Sequence, residues 1–100
     1  MKSILLNINK SFESRVRLGI MSVLTVQTKA DFNYLKDILT LTDGNLASHL
    51  KALENEGFIS MNKRFVGRKT QTTYYATPEG KLAFRNHLDA LEQLIKEQKI

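Results

Sequence analysis

The segment Leu39 to Ile59, LTLTDGNLASHLKALENEGFI, constrains the fold more than any other part of the chain. Thr42 can accept a hydrogen bond from the free amides of a helix that starts at Asp43. Leu46, Leu50 and Leu53 then recur at spacings of four and three, a single apolar stripe on a helix running to Glu56. Gly57 stands where a left-handed residue would end that helix. A helix stop, a turn, a capped helix and a glycine stop are the layout of the second half of a helix-turn-helix.

The flanking sequence extends this pattern. Phe12, Val16, Ile20, Val23 and Leu24 form an amphipathic stripe over about Phe12 to Val26, with Ser11 as its N-cap and Glu13 in the favourable first turn. TKAD is a short polar break, from which Asp31 caps a helix over Phe32 to Leu39 with Phe32, Leu35, Ile38 and Leu39 inward. Phe58 to Lys63 and Gln71 to Ala76 carry β-favouring residues round a loop containing Gly67, as in a two-stranded hairpin. One of Tyr74 and Tyr75 joins the core. Thr77-Pro78-Glu79 supplies a cap, a proline at the first helical position and an acid in the first turn. The helix it starts runs to about Gln98 with Leu82, Phe84, Leu88, Leu91, Leu94 and Ile95 as apolar positions. Ile4, Leu5, Leu6 and Ile8 fit either a short helix or an extended arm. The order is three helices, two strands and a helix, which is mainly α with a small β-hairpin. It is a winged helix-turn-helix: a three-helix core, a two-stranded wing and a long C-terminal helix, all in one domain over 1–100.

Composition sharpens the reading where charge is uneven. Of a net charge of +5, the stretch Phe58 to Thr77 holds Lys63, Arg64, Arg68 and Lys69 with no acid, while the rest nearly balances. A local basic patch suggests a polyanionic partner, here double-stranded DNA. The chain has no cysteine, which excludes disulfides and thiolate metal sites. MKSILLNINK does not resemble a signal peptide and no apolar run is long enough to span a membrane, so the expected location is the cytoplasm. Glu54 and Glu56 lie two apart on different helix faces without a nucleophile, so they read as surface charge and no enzyme is expected. No cofactor is expected either.

With Leu46, Leu50 and Leu53 inward, steps of about 100° per residue turn Gly44, Ser48 and Lys51 outward. Asn45 flanks them and His49 lies between core and solvent. Thr42, Gly44, Asn45 and Ser48 are small, so the helix start can approach base edges. Asn can pair with adenine at two points, Ser and His can bond bases or phosphates, and Lys51 suits the backbone. The plainer alternative is that Thr42 and Asp43 only cap the helix. In the wing, Lys63, Arg64, Arg68 and Lys69 are the candidate contacts: of Arg64, Arg68 and Lys69 round Val66-Gly67, an arginine can enter a minor groove while the others meet phosphates.

RLGIMSVL at Arg17, DFNYLKDIL at Asp31, LTDGNLASHLKALENEGFI at Leu41 and the basic run from Lys63 followed by T-x-Y-x-T-PEG-x-x-AF resemble the small winged-helix transcriptional regulators related to the MarR and ArsR groups. The resemblance covers about Arg15 to Ile95. It implies a dimeric DNA-binding protein, with Ser48 and His49 as the contacting pair of the recognition helix and Arg68 and Lys69 as the wing's contacts. Thr70 departs from it, since relatives often have proline there. The family's metal sensors use clustered Cys, His and acids. With His49 and His87 far apart and no Cys, no metal site is expected.

Phe84, His87, Leu88, Leu91, Leu94 and Ile95 form a three/four seam. About twenty residues give roughly 30 Å of helix, more than the domain needs. The surplus, within 78–98, is expected to form a homodimer interface, joined by Ile4 to Ile8. The expected function is a sequence-specific regulator, read as a repressor, on an inverted repeat, with an unidentified small-molecule effector as a further partner. The competing readings are a protein-interaction module, which would favour a less basic wing, and a non-specific architectural DNA binder.

Overall fold

The computed structural model describes residues 2–98. Its elements are α1 (Lys2–Leu6), a single 3-10 turn (Lys10–Phe12), α2 (Arg15–Val26), β1 (Ala30–Asp31), α3 (Phe32–Leu39), α4 (Asp43–Asn55), β2 (Ile59–Val66), β3 (Lys69–Ala76) and α5 (Pro78–Glu97). The core lies where α2, α3 and α4 meet the base of the sheet and the first half of α5. It contains Phe12, Ile20, Met21, Leu24, Leu35, Leu46, Leu50, Leu53, Ile59, Tyr74 and Phe84.

Three helix starts are capped as the sequence implies. Asp31 accepts from the Tyr34 amide at 2.7 Å, Thr42 from Asn45 at 3.2 Å and Thr77 from Gly80 at 2.9 Å. Each cap satisfies one of the four free amides at a helix N-terminus. The start of α2 differs from expectation. Its N-cap is Ser14, which accepts from the Arg17 amide, and not Ser11. Phe12 precedes the helix in the 3-10 turn, which drives its ring between Phe58, Phe84 and His87. An aromatic cluster thus overrides a periodicity that would have continued the helix back to Phe12.

The sheet has three strands and not two, in the order β1-β3-β2. Within TKAD, Ala30 pairs with Tyr74 and Asp31 with Thr73. Two residues are too few to show a strand period, so this bridge is not legible locally. The wing strands are longer than expected, with Val66 opposite Lys69 across a two-residue turn in which Gly67 has φ +66°. Tyr74 is the buried tyrosine and Tyr75 is exposed. Ile38, expected inward, is exposed, because Leu35 already fills the face that α3 turns to the core, and Leu82 among the apolar positions of α5 is exposed as well.

The end of α4 and the start of α5 are joined. Gly57 has φ +78°. The Phe58 amide donates to Leu53 and the Gly57 amide to Glu54, closing both bonds of a Schellman stop. The Thr77 hydroxyl donates to the Gly57 carbonyl at 2.7 Å, and its amide donates to the Phe58 carbonyl at 3.0 Å. Gly80 faces Phe58 so closely that an added Cβ would collide with its backbone carbonyl. Backbone cannot swing aside as a side chain can. Gly80→Ala should therefore destabilise the fold by about 3 kcal/mol or more, read as a lower urea midpoint with an unchanged slope.

Candidate nucleic-acid interface

On α4, Leu46, Leu50 and Leu53 are buried, and Thr42, Gly44, Asn45, Ser48 and Lys51 are exposed together on the opposite side. The Thr42 hydroxyl is engaged as the N-cap, so the plainer reading of that residue holds for its hydroxyl. Asp43 forms an ion pair with Lys36 of α3 at 2.8 Å. This pair lies across the helix-turn-helix corner and offsets an acid that would otherwise face an incoming polyanion. The turn between the helices passes through Thr40, whose φ of +55° is left-handed. A β-branched residue there costs about 1–2 kcal/mol relative to a right-handed conformation. The Leu41 amide, bonded to the Lys36 carbonyl at 3.0 Å, holds the turn in place.

Gly44 has no internal reason to lack a side chain. Its φ is ordinary, and an added Cβ would meet nothing within 4 Å. Glycine in a helix is unfavourable relative to alanine by up to about 1 kcal/mol. The bare backbone at this point leaves room for something outside the chain.

His49 is half-buried at the edge of this face. Its Nδ1 accepts a hydrogen bond from Arg17 Nε at 3.0 Å, which ties α4 to the first turn of α2. Burial, and then the Arg17 charge, push its pKa below the usual histidine value. Accepting at Nδ1 leaves a ring proton on Nε2, a donor. Arg17 and Lys36 are the cations that sequence reasoning missed. Arg17 meets His49 across 32 positions and carries no periodic signal. Lys36 had a weak one, as a base in the last turn of the helix before the cap.

In the wing, every residue from 61 to 70 is exposed. Lys63, Arg64, Arg68 and Lys69 thus all lie on a projecting hairpin. Arg64 stands opposite Gln71 in register, and its Nε and Nη2 donate to the Gln71 side-chain oxygen at 3.3 and 3.2 Å. That bond aligns the guanidinium along the ladder. The recognition-helix face and the wing are joined through the Gly57 stop, so the hydrogen-bonding surface, with Lys51 on it, and the cationic hairpin share one base.

The seam expected on α5 divides. Phe84 and His87 are not on an outward face, since both are buried in the chain's own core. His87 Nδ1 accepts from the Asn9 amide at 3.0 Å, and its ring packs against Phe12 and Phe84. Burial pushes its pKa down, with the Glu13 charge opposing in part. Leu91 and Leu94 are half-buried, whereas Leu88 and Ile95 stay exposed at 44% and 70%. The 3-10 turn explains the difference: by bringing Asn9 and Phe12 back onto α5, it consumes that side of the stripe.

A family model described as a winged helix DNA-binding domain matches residues 16–95. An uncharacterized protein of Methanocaldococcus jannaschii is 41% identical over 87 residues, which span 87% of this chain and 95% of the relative. Among solved structures, a transcriptional regulator homologue protein from Pyrococcus horikoshii is similar at a TM-score of 0.86 and 30% identity, over 99% of this chain and 96% of that one. The transcriptional regulator BldR from Sulfolobus solfataricus shares the fold at a TM-score of 0.70 and 18% identity, over 96% of this chain and 70% of that one. With these matches, the capped recognition helix and the basic wing, the chain belongs to the winged helix DNA-binding domain family, as a small regulator of transcription and not an enzyme.

Proposed function

We propose that this regulator is a cytoplasmic homodimeric repressor that reads an inverted-repeat operator. Thr42, Gly44, Asn45, Ser48, His49 and Lys51 face the major groove, and Lys63, Arg64, Arg68 and Lys69 hold the flanking backbone and minor groove. The observation that carries the reading is Gly44. It leaves bare backbone on the exposed face of the recognition helix where no contact within the chain requires it. A duplex pressed against that face would require it. Occupying an operator excludes other proteins from it, which makes repression the simplest consequence.

The dimer is proposed along the free edge of α5. Leu88 and Ile95 are exposed there, and Leu5 and Leu6 of α1 are exposed on the segment that packs on the same helix. The radius of gyration, 15.1 Å, exceeds the roughly 13 Å of a compact 100-residue domain. An elongated chain with apolar residues along a protruding helix fits half of a two-fold assembly. Such a pair sets two recognition helices about one helical turn apart on one side of the duplex. A small-molecule effector would enter beside α5, where Ile8, Phe12, His87 and Leu91 line a groove of about 290 Å³.

Selection from a random duplex pool at near-physiological salt should enrich an inverted repeat. On that site Arg68→Ala should weaken all duplexes alike and flatten the salt dependence by about one ion, whereas Ser48→Ala should change sequence preference. If both variants bind like the wild type, the assigned face is wrong. Gly44→Ala should stabilise the free protein by up to about 1 kcal/mol in urea melts and yet lose operator affinity. Unchanged affinity would remove Gly44 from the contact surface. Sedimentation at micromolar concentration should give a dimer, and Ile95→Asp a folded monomer. A wild-type monomer under those conditions would refute the assembly.

A further inference from the structure

The outer wing presents two apolar side chains that the chain itself does not use. Phe65 is 79% exposed and Val66 is 54% exposed, at the very end of the β2–β3 ladder. Successive strand residues point to opposite faces, so Phe65 and Val66 lie on opposite sides of a thin tip. Phe65 stands opposite Thr70 and Val66 opposite Lys69. Lys63 precedes Phe65 on its own face, and Arg64 precedes Val66 on the other. Each face of the tip thus carries one apolar side chain with a cation two residues before it on the same strand.

A hairpin of this kind is not self-sufficient. β1 supports the ladder only as far as Thr73, so everything beyond is two-stranded. Two-stranded hairpins are marginal in water. A large ring in that position gains nothing until something covers it. A second copy of the same tip is disfavoured, because each carries four cations and no acid between Lys63 and Lys69. The complementary surface is one whose rims are anionic and whose interior is apolar enough to take a ring. The minor groove of a duplex has that chemistry: phosphates along its rims, deoxyribose C–H groups on its walls, and base steps that open against an apolar side chain.

We infer that Phe65 is an apolar wedge, inserted by the wing into the minor groove against a base step while Val66 packs on the sugar wall. This rests on the DNA-binding reading of the wing and adds a determinant that charge alone does not supply. Charge is indifferent to sequence. A wedge selects steps that unstack easily, such as pyrimidine–purine steps, and it bends the duplex away from the minor groove.

The test uses the full chain and the operator duplex obtained by selection, with 2-aminopurine placed in turn at the steps flanking the half-site. The wild type should raise the probe's fluorescence at one step and bend the duplex in a phasing assay. Phe65→Ala should abolish the fluorescence rise, reduce the bend and lower affinity about tenfold or more. Its salt dependence should stay unchanged, because all four cations remain. Phe65→Leu should retain most of the signal. Since the side chain is exposed, neither variant should alter the melting temperature. If Phe65→Ala binds and bends like the wild type while Arg68→Ala loses affinity, the wedge is overturned and the DNA-binding reading stands. A folded wild type that retains no duplex overturns both.

Discussion

The junction of Gly57, Phe58, Thr77 and Gly80 is the contact on which the rest of the molecule depends. One hydroxyl, Thr77 Oγ1, donates to the carbonyl that follows the recognition helix and accepts from the amide that opens α5. The end of α4, the base of the wing and the start of the long helix are therefore fixed to one another within a few atoms. Each component has a reason to be what it is. Gly57 turns left-handed to close α4, Gly80 lacks a Cβ because the Phe58 carbonyl occupies its place, and Thr77 supplies both donor and acceptor. A wing attached by a loose loop would let its cations wander relative to the helix. Here the exposed face of α4 and the base of the wing keep a fixed separation.

A second, weaker set of ties fixes the other end of the recognition helix. Lys36 with Asp43 and the left-handed turn at Thr40 join α4 to α3 at its start, and Arg17 with His49 joins its middle to α2. The ion pair is exposed on both sides, so solvent screens it and it adds little to stability. It does not by itself offset the cost of the Thr40 conformation. The packing of Leu46 and Leu50 holds the helix start in place, and the polar ties set its rotation. Rotation is what decides which side chains reach a base edge.

The elements with strong local signals were legible in the sequence, and for identifiable reasons. Capping at Asp31, Thr42 and Thr77, the leucine stripe of α4, and the stop at Gly57 all follow from residues within one or two turns of each other. The two-residue strand at Ala30 did not, because it exists only through its pairing with Tyr74 and Thr73. The N-terminal boundary of α2 was missed for a similar reason. Phe12 and Ser11 suit a helix locally, and only distant aromatic partners draw Phe12 into the core. On α5, Phe84 and His87 fit a seam by spacing, but a seam does not say whether its partner is the same chain or another. The exposed positions of α4 were readable from helix geometry, whereas the Arg17–His49 bond that orients one of its side chains was not.

The division of the α5 stripe has a consequence for how two ends of the molecule communicate. The N-terminal segment reaches α5 through the Asn9 amide on His87, and α5 reaches α4 through Thr77. A body pressing on the free edge at Leu88 and Ile95 would act on a helix whose N-cap is bonded to the glycine stop that follows α4. A tilt of α5 would therefore move α4 and the wing base together, with little room for one to yield alone, because the Gly80–Phe58 approach is already at contact. Packed elements of this kind shift as units. In the proposed two-fold assembly, such a unit shift would change the distance between the two recognition helices without altering either exposed face. Spacing, and not the chemistry of the face, would then be the quantity open to adjustment.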